Sequence, residues 1–220
     1  MQNSREGGEM ILEGLATGMF QGNCYIVGCE ATRQAMIVDP GDEGERILRV
    51  IERLQLQTQV IVCTHTHIDH VAALAGVHEA TGAAVAMHRE AFESSHGQSA
   101  ITRLLIGRDA DPLPEPDVLL EDGDKVSVGE LEFEVLFCPG HADGHICLYG
   151  QGVVFTGDAL FQGGIGRFDL PGGDGKLLLT GIRDKLLILP DDTVVLAGHG
   201  PTSTIGEEKR QNPFLLHPRV

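Results

Sequence analysis

The chain has 220 residues, of which 42% are hydrophobic and 22% are charged, a composition typical of one soluble globular domain. No apolar run approaches the roughly 18 residues of a membrane-spanning helix, and the polar segment Met1–Met10 lacks the apolar core of a secretory signal. The formal net charge of −16 disfavours contact with a phosphate backbone, so we expect no nucleic-acid partner and no membrane partner.

The first half of the chain predicts alternating strands and helices after a polar, glycine-rich tail of residues 1–9. Its elements are strands Cys24–Val27 and Ala35–Val38, helix Asp42–Leu54, strand Val60–Cys63, helix Val71–Ala80 and strand Ala83–Met87. Asp42 is the expected N-terminal cap of the first helix. An irregular connection is expected over Arg89–Asp117, with one helical piece at Ile101–Ile106, because three prolines interrupt any regular pattern.

The second half predicts mostly strands. They are Lys125–Val128, Leu131–Phe137, Ile146–Tyr149 and Val153–Thr156, followed by helix Leu177–Leu187 and strand Val194–Ala197. The length favours a single domain over residues 1–220. Five cysteines, none in a C-x-x-C pair, favour buried thiols in a reducing compartment, and we therefore expect a cytoplasmic protein.

Four of the predicted strands end at a residue type that binds metals. These residues are His65, His141, Asp158 and His199. Buried strands that stop at the same edge of a sheet bring the residues that follow them together, and the glycines just before three of them permit close approach. The sequence therefore predicts one site at one edge of the fold.

The segment from His65 to His70 adds further ligands to that site. In His65-x-His67-x-Asp69-His70, the two alternate histidines share one side of an extended chain while the adjacent Asp69 and His70 diverge, so one loop can serve two metal positions. With the strand-end residues there are seven candidate ligands, more than the four or so of a tetrahedral site. Two divalent ions about 3.5–4 Å apart are the economical interpretation, with zinc preferred over iron or manganese.

The sequence resembles the metallo-β-lactamase superfamily from about Asn23 to Leu215. The resemblance lies in four motifs in a fixed order: Thr-His-x-His-x-Asp-His, a distant histidine, Thr-Gly-Asp and Gly-His-Gly. Within that superfamily, the segments Phe155–Asp169 and Gly198–Gly206 resemble glyoxalase II and its short bacterial relatives. Those relatives are hydroxyacylglutathione hydrolases, which cleave S-acyl thioesters of glutathione. The resemblance implies an α+β fold, a four-layer αββα sandwich with the site at one edge.

The resemblance also implies a role for each candidate residue. It implies one metal at His65, His67 and His141 and a second at Asp69, His70 and His199, with Asp158 bridging both. Asp39 matches an aspartate that orients the ligand loop from behind. Arg167 stands where a lysine contacts the glutathione carboxylate, and Asp169 replaces a tyrosine there. The expected domain ends without the helical glutathione-binding extension of full-length glyoxalase II, which leaves the carrier thiol open.

The predicted activity is hydrolysis of a small acyl thioester, with S-lactoylglutathione as the expected substrate. Two divalent cations lower the pKa of a bridging water from about 15.7 towards 7, and the hydroxide would attack the thioester carbonyl. Asp69 would ligate a metal and orient that hydroxide, which makes it the expected catalytic residue. The oligomeric state is left open between a monomer and a small homo-oligomer.

Two other functions compete with thioester hydrolysis. The first is an oxygenase resembling glutathione persulfide dioxygenase, in which a single non-haem iron is held by two histidines and one carboxylate. It shares the histidine-aspartate motif, but the closing sequence Gly198-His199-Gly200-Pro201 favours the hydrolase. The second is a non-catalytic metal-binding domain, which the complete set of ligand positions disfavours.

Overall fold

The computed structural model describes residues 9–95 and 112–217. Two six-stranded sheets face each other, and helices cover their outer faces. This arrangement confirms the predicted α+β class and the four-layer αββα sandwich. The predicted tail, apart from Glu9, and the helical piece predicted at Ile101–Ile106 lie outside the described residues. Among the described residues, no helix combines the length and the apolar character needed to cross a bilayer.

The first sheet combines an antiparallel and a parallel half. In spatial order its strands are β1 (Met10–Thr17), β2 (Gly22–Cys29), β3 (Gln34–Val38), β4 (Gln57–Val62), β5 (Ala84–Met87) and β6 (Val118–Leu119). From β3 onward the pairing is parallel, which requires crossover connections. Those connections carry the helices α1 (Gly44–Arg53), α2 (Ile68–Val71), α3 (Leu74–Thr81) and α4 (Arg89–Ser95).

The second sheet is mostly antiparallel. Its strands are β7 (Lys125–Val128), β8 (Leu131–Phe137), β9 (Ile146–Gly150), β10 (Val153–Gly157), β13 (Val194–Ala197) and β14 (Ser203–Thr204). The hairpin of β11 (Leu160–Phe161) and β12 (Gly164–Ile165) stands apart from both sheets. The helices are α5 (Gly175–Gly181), which continues as a π-helical turn over Ile182–Leu186, α6 (Ile205–Gln211) and α7 (Pro213–Leu216).

Three hydrophobic clusters separate the four layers. The central cluster joins both sheets and includes Tyr25, Phe133 and Phe155, whose rings meet edge to face at centroid distances of 5.3 Å (Tyr25–Phe155) and 5.9 Å (Phe133–Phe155). The outer clusters seat α1 and α3 on the first sheet and α5 on the second. All five cysteines are free and buried within these clusters.

Strand direction brings the predicted ligands to one edge. Strand β10 pairs in parallel with β13, and β8 also runs parallel to β10 because both are antiparallel to the intervening β9. The residues that follow these three strands, His141, Asp158 and His199, therefore leave the second sheet at the same end. In the first sheet, His65 follows β4.

Several element boundaries differ from the predictions. The predicted cap at Asp42 is wrong: α1 begins at Gly44, and Glu43 at its N-cap has φ 53° and makes no side-chain cap hydrogen bond. The predicted helix Val71–Ala80 is divided into α2 and α3. The predicted helix Leu177–Leu187 changes to a π-helical turn, in which the Leu187 N–H donates to the Ile182 carbonyl at 2.9 Å.

Some elements were not predicted at all. In strand β1 only Leu15 and Thr17 are buried, so the strand gives no continuous apolar run. Helix α4 lies in the segment predicted to be irregular and buries only Ala91, so it leaves no helical period in the sequence. The elements β11, β12, β14, α6 and α7 are two to seven residues long, and side chain-to-backbone hydrogen bonds at several of them leave no trace in a hydrophobic pattern.

The central cluster provides a test of the packing. Phe133 is completely buried between the sheets, so truncation to alanine leaves a cavity and should lower the free energy of unfolding by about 3–5 kcal/mol. Phe133→Leu retains most of the volume and should cost less. Urea denaturation of the two variants measures both changes, and an alanine variant as stable as the wild type would contradict the described packing.

Candidate metal centre

The first group of ligands comes from the ends of β4 and β8. Donor atoms of His65, His67 and His141 lie within 4.8 Å of one another. Nε2 of His141 is 2.9 Å from Nδ1 of His67. His65 is fully buried and the His141 side chain is 3% exposed, so this group lies on the inner side of the site.

The second group combines the same loop with the end of β13. Donor atoms of Asp69, His70 and His199 also lie within 4.8 Å of one another. Oδ2 of Asp69 is 3.1 Å from Nε2 of His199, and the two Nε2 atoms of His70 and His199 are 3.2 Å apart. The side chains of Asp69 and His199 are 22% and 29% exposed, so this group forms the solvent side of the site.

Asp158 lies between the two groups. Its Oδ1 is 3.3 Å from Nε2 of His70, and its Oδ2 is 3.5 Å from Nε2 of His141 and 3.6 Å from Nε2 of His199. Burial alone would raise the pKa of Asp158, but the neighbouring histidines, His70 foremost, hold it well below the usual range. A buried, ionised carboxylate thus contacts members of both groups.

Asp39 fixes the orientation of the ligand loop from behind. Its Oδ1 accepts the Thr64 backbone N–H, and its Oδ2 accepts the Thr64 hydroxyl, both at 2.7 Å. The same Oδ2 accepts Nδ1–H of His70 at 3.1 Å. With its hydroxyl proton given to Asp39, Thr64 Oγ1 can accept Nδ1–H of His65, 3.0 Å away. Both imidazoles then carry their proton on Nδ1 and direct the lone pair of Nε2 into the site.

His141 is set in the same tautomer by a different partner. Its Nδ1–H donates to the backbone carbonyl of Arg167 at 2.8 Å. Its Nε2 therefore has a free lone pair, as in metal-binding histidines whose other nitrogen donates to the protein.

The donor set fits divalent cations. Nε2 of His65 is buried and has no hydrogen-bond partner among the described residues, which is costly for a polar atom unless something else binds it. The close approach of histidine and carboxylate donors concentrates lone pairs that a cation would stabilise. Imidazole nitrogen with carboxylate oxygen is a set that zinc, iron and manganese accept.

The two groups differ in their affinity for protons. Burial lowers the pKa of His65 and His141, and burial together with His141 lowers the pKa of His67 to about 4. By contrast, the hydrogen bond that Nε2–H of His199 donates to the Asp69 carboxylate raises the pKa of His199. Burial lowers the pKa of His70, but Asp158 and Asp39 outweigh it and raise the pKa well above the ordinary value. The outer group therefore attracts protons at a higher pH than the inner group.

Two glycines allow the strands to approach the ligands closely. At Gly157, which has φ 46°, a Cβ atom would lie 2.7 Å from Nε2 of His145. At Gly198, a Cβ atom would collide with Oδ1 of Asp158 and lie 2.7 Å from Cε1 of His70. Any side chain at Gly198 would displace the ligands themselves.

Arg167 lies at the surface beside the site. Its guanidinium forms two hydrogen bonds with Asp169, at 2.8 Å and 2.9 Å, and the two side chains are 60% and 66% exposed. The pair adjoins the site because the backbone carbonyl that accepts Nδ1–H of His141 belongs to Arg167 itself. Asp169, which cannot reproduce a tyrosine contact, instead neutralises Arg167.

Two residues of the site, Thr64 and Asn23, had no role predicted from the sequence, and the structure gives a supporting contact to a third, His145. Thr64 stands inside the histidine motif, and only its relay between Asp39 and His65 identifies its role. His145 is buried and its Nε2 accepts the backbone N–H of Asp158 at 3.1 Å. Asn23 contacts the loop that carries His199. None of these contacts follows from spacing, because each partner lies far away in the chain or acts through the backbone.

Comparison with known proteins agrees with this geometry. Residues 17–199 match the family described as the metallo-beta-lactamase superfamily. The chain is similar to the hydroxyacylglutathione hydrolase GloC of Haemophilus influenzae, being 40% identical over 218 residues that cover 94% of this chain and 98% of the relative. Its fold is similar to the crystal structure of the BLEG-1 B3 metallo-beta-lactamase, with a TM-score of 0.86, 36% identity, and coverage of 93% of this chain and 99% of that one. It is also similar to TTHA1623 in a di-iron-bound form, with a TM-score of 0.83, 38% identity, and coverage of 92% and 100%.

The Asp39 network leads to a prediction for metal affinity. Asp39→Asn replaces one acceptor oxygen with an amide that cannot accept from Thr64 or His70, and partners of this kind typically contribute about 10–100-fold to metal affinity. We therefore expect a loss of that size in competition with a chromophoric chelator. Asp42→Asn, at an exposed aspartate three residues away, is the matched control and should bind metal as the wild type does.

The difference in pKa predicts stepwise loss of metal in acid. A metal ligand must be unprotonated, and the raised pKa values of His70 and His199 allow protons to compete there first as the pH falls from neutral. At His67, whose pKa is lowered to about 4, protons compete only in stronger acid. Metal analysis after dialysis at stepped pH should show one equivalent leaving before the other. Loss of both equivalents in one step would contradict the assignment.

Proposed function

This chain belongs to the metallo-β-lactamase superfamily, and from that premise we propose that it hydrolyses S-acyl thioesters, with a hydroxyacylglutathione as substrate. The observation that carries the proposal is the pair of ligand groups joined by Asp158. The 40% identity with a hydroxyacylglutathione hydrolase over nearly the whole of both chains supports this choice of substrate class.

In the proposed enzyme, one divalent ion would be held by the inner group and a second by the outer group, with Asp158 shared between them. Bound there, the ions supply positive charge that polarises a carbonyl and lowers the pKa of water. Zinc is the proposed metal because imidazole and carboxylate suit it. Iron and manganese are also compatible with these donors, and the similarity to a protein with a di-iron form supports iron as an alternative.

Asp69 is the proposed catalytic residue. Burial would raise its pKa, but the hydrogen bond with His199 and the charge of His70 lower it, so the carboxylate is ionised near neutral pH. It lies on the solvent side of the site, where Oδ2 can accept a hydrogen bond from the attacking water and hold it in position. The thiolate is a good leaving group, so the reaction requires little help from a general acid.

Arg167 is the proposed contact for a carboxylate of the carrier thiol. Its guanidinium is exposed and already binds a carboxylate in the two-bond arrangement that arginine favours. A substrate carboxylate would replace or share Asp169 at the same nitrogen atoms. Glutathione has two carboxylates and is therefore the proposed carrier.

The decisive experiment measures S-lactoylglutathione hydrolysis and metal content on the same purified protein. Wild type should release thiol, and Asp158→Ala should lose metal and activity together because the shared carboxylate is gone. Asp192→Ala, at an exposed aspartate that precedes β13 while His199 follows the other end of that strand, should retain both. Oxygen uptake with glutathione persulfide, or cleavage of a β-lactam, in the absence of thioester cleavage would overturn the proposed function.

The arginine proposal predicts opposite effects for the two members of the surface pair. Arg167→Ala should raise KM for an acyl-glutathione about tenfold, in line with the roughly 1.5 kcal/mol at the lower end of the range for a hydrogen bond to a charged group. Asp169→Asn frees the guanidinium and should lower KM for the same substrate. A thioester without a free carboxylate should respond to neither change. Equal effects on both substrates would contradict the carboxylate contact.

A further inference from the structure

We propose that Asn23 is a positioning residue that sets the affinity of the outer ligand group for its metal. The inference rests on the proposed function only in that it requires two metal positions. It concerns the first hairpin of the chain, which contributes no ligand and lies more than 40 residues before the histidine motif.

Asn23 binds the loop that carries His199 at three points. Its backbone N–H donates to the Gly198 carbonyl at 2.7 Å. Its side-chain amide donates to the carbonyls of Ala197 and Gly200, each at 2.9 Å. One residue therefore holds the peptide groups on both sides of His199, and both donors of its amide group are used.

The contact crosses between the two sheets. Asn23 belongs to β2 in the first sheet, whereas the loop 197–200 follows β13 in the second. The neighbouring Gly22 forms a bridge with His199, and a Cβ atom there would lie 2.6 Å from the Asp69 carbonyl. The segment Gly22–Asn23 thus touches two of the three members of the outer group.

The inner group depends on other parts of the chain. His65 is oriented through Thr64, and His141 through the Arg167 carbonyl. No hydrogen bond described for Asn23 reaches His65, His67 or His141. Removal of the Asn23 amide should therefore loosen the loop of His199 and leave the inner histidines in place. The other hydrogen bonds described for this loop, from the Tyr25 hydroxyl to the Ala197 carbonyl and from the Gly198 N–H to the Gly157 carbonyl, hold it before His199 and not after it.

The test is stepwise metal binding by Asn23→Ala and Asn23→Asp. The alanine variant removes both donors, and the aspartate variant keeps the shape but turns an oxygen towards two carbonyl groups. Full-length apo protein is titrated with zinc in chelator buffers that fix the concentration of free zinc, and the number of bound ions per chain is measured. We expect the weaker equivalent to bind about 10–100-fold less tightly, the usual cost of losing an orienting partner, while the tighter equivalent keeps its wild-type affinity.

Asp117→Ala is the control for general destabilisation. It also loses a hydrogen bond between the backbone and a side chain, which the Val85 N–H donates to Asp117 Oδ2 at 2.8 Å. This bond lies near the beginning of β5 and β6, whereas the site lies beyond the end of the parallel strand β4. This variant should lower the melting temperature without changing the ratio of the two affinities. In Asn23→Ala, additional free zinc should restore the second equivalent.

Three results would overturn the inference: equal weakening of both equivalents, unchanged binding of the second, or a wild type that binds a single ion. The result for the proposed function is separate, because the titration uses no substrate. A wild type that binds two ions and cleaves no thioester would refute the hydrolase while leaving the role of Asn23 open to the same measurement.

Discussion

The site depends on one buried carboxylate. Asp39 has φ 53°, a backbone conformation that residues other than glycine rarely adopt, and it is 2% exposed. Its position at the end of β3 lets it accept hydrogen bonds from Thr64 and His70 and, through Thr64, orient His65. These bonds offset the strain of the backbone, and they fix which nitrogen of two ligands carries the proton. Without that choice of tautomer, the lone pairs would not converge.

The two groups of the candidate metal centre differ in their exposure to solvent. Burial lowers the pKa values of His65 and His67 in the inner group, so these imidazoles are neutral at physiological pH. The outer group retains solvent contact and includes the ionised carboxylate of Asp69, the proposed catalytic residue. The same αββα framework thus gives one buried group of donors and one group that solvent reaches. Asp158 joins the two because it contacts both.

Sequence reasoning picked out the candidate ligands because four of them follow an apolar strand. A buried strand gives a continuous apolar run, and the polar residue after it, such as His141 or Asp158, stands out against that run. It did not reveal Asn23, whose role arises from contacts with the backbone of a distant segment, or Thr64, whose hydroxyl links Asp39 to His65. Strand β1 and helix α4 were missed for a related reason: each buries few side chains and leaves only a weak pattern.

The burial of every cysteine has a practical consequence. Burial raises the pKa of Cys24, Cys63 and Cys147, so their sulfur atoms stay protonated and lie out of reach of reagents in the native protein. A colorimetric disulfide added to the folded protein would therefore leave these three sulfur atoms unreacted, which favours its use to follow the thiol that the proposed hydrolysis releases. The same shielding keeps soft sulfur donors from capturing zinc during reconstitution, which leaves nitrogen and oxygen as the competing ligands.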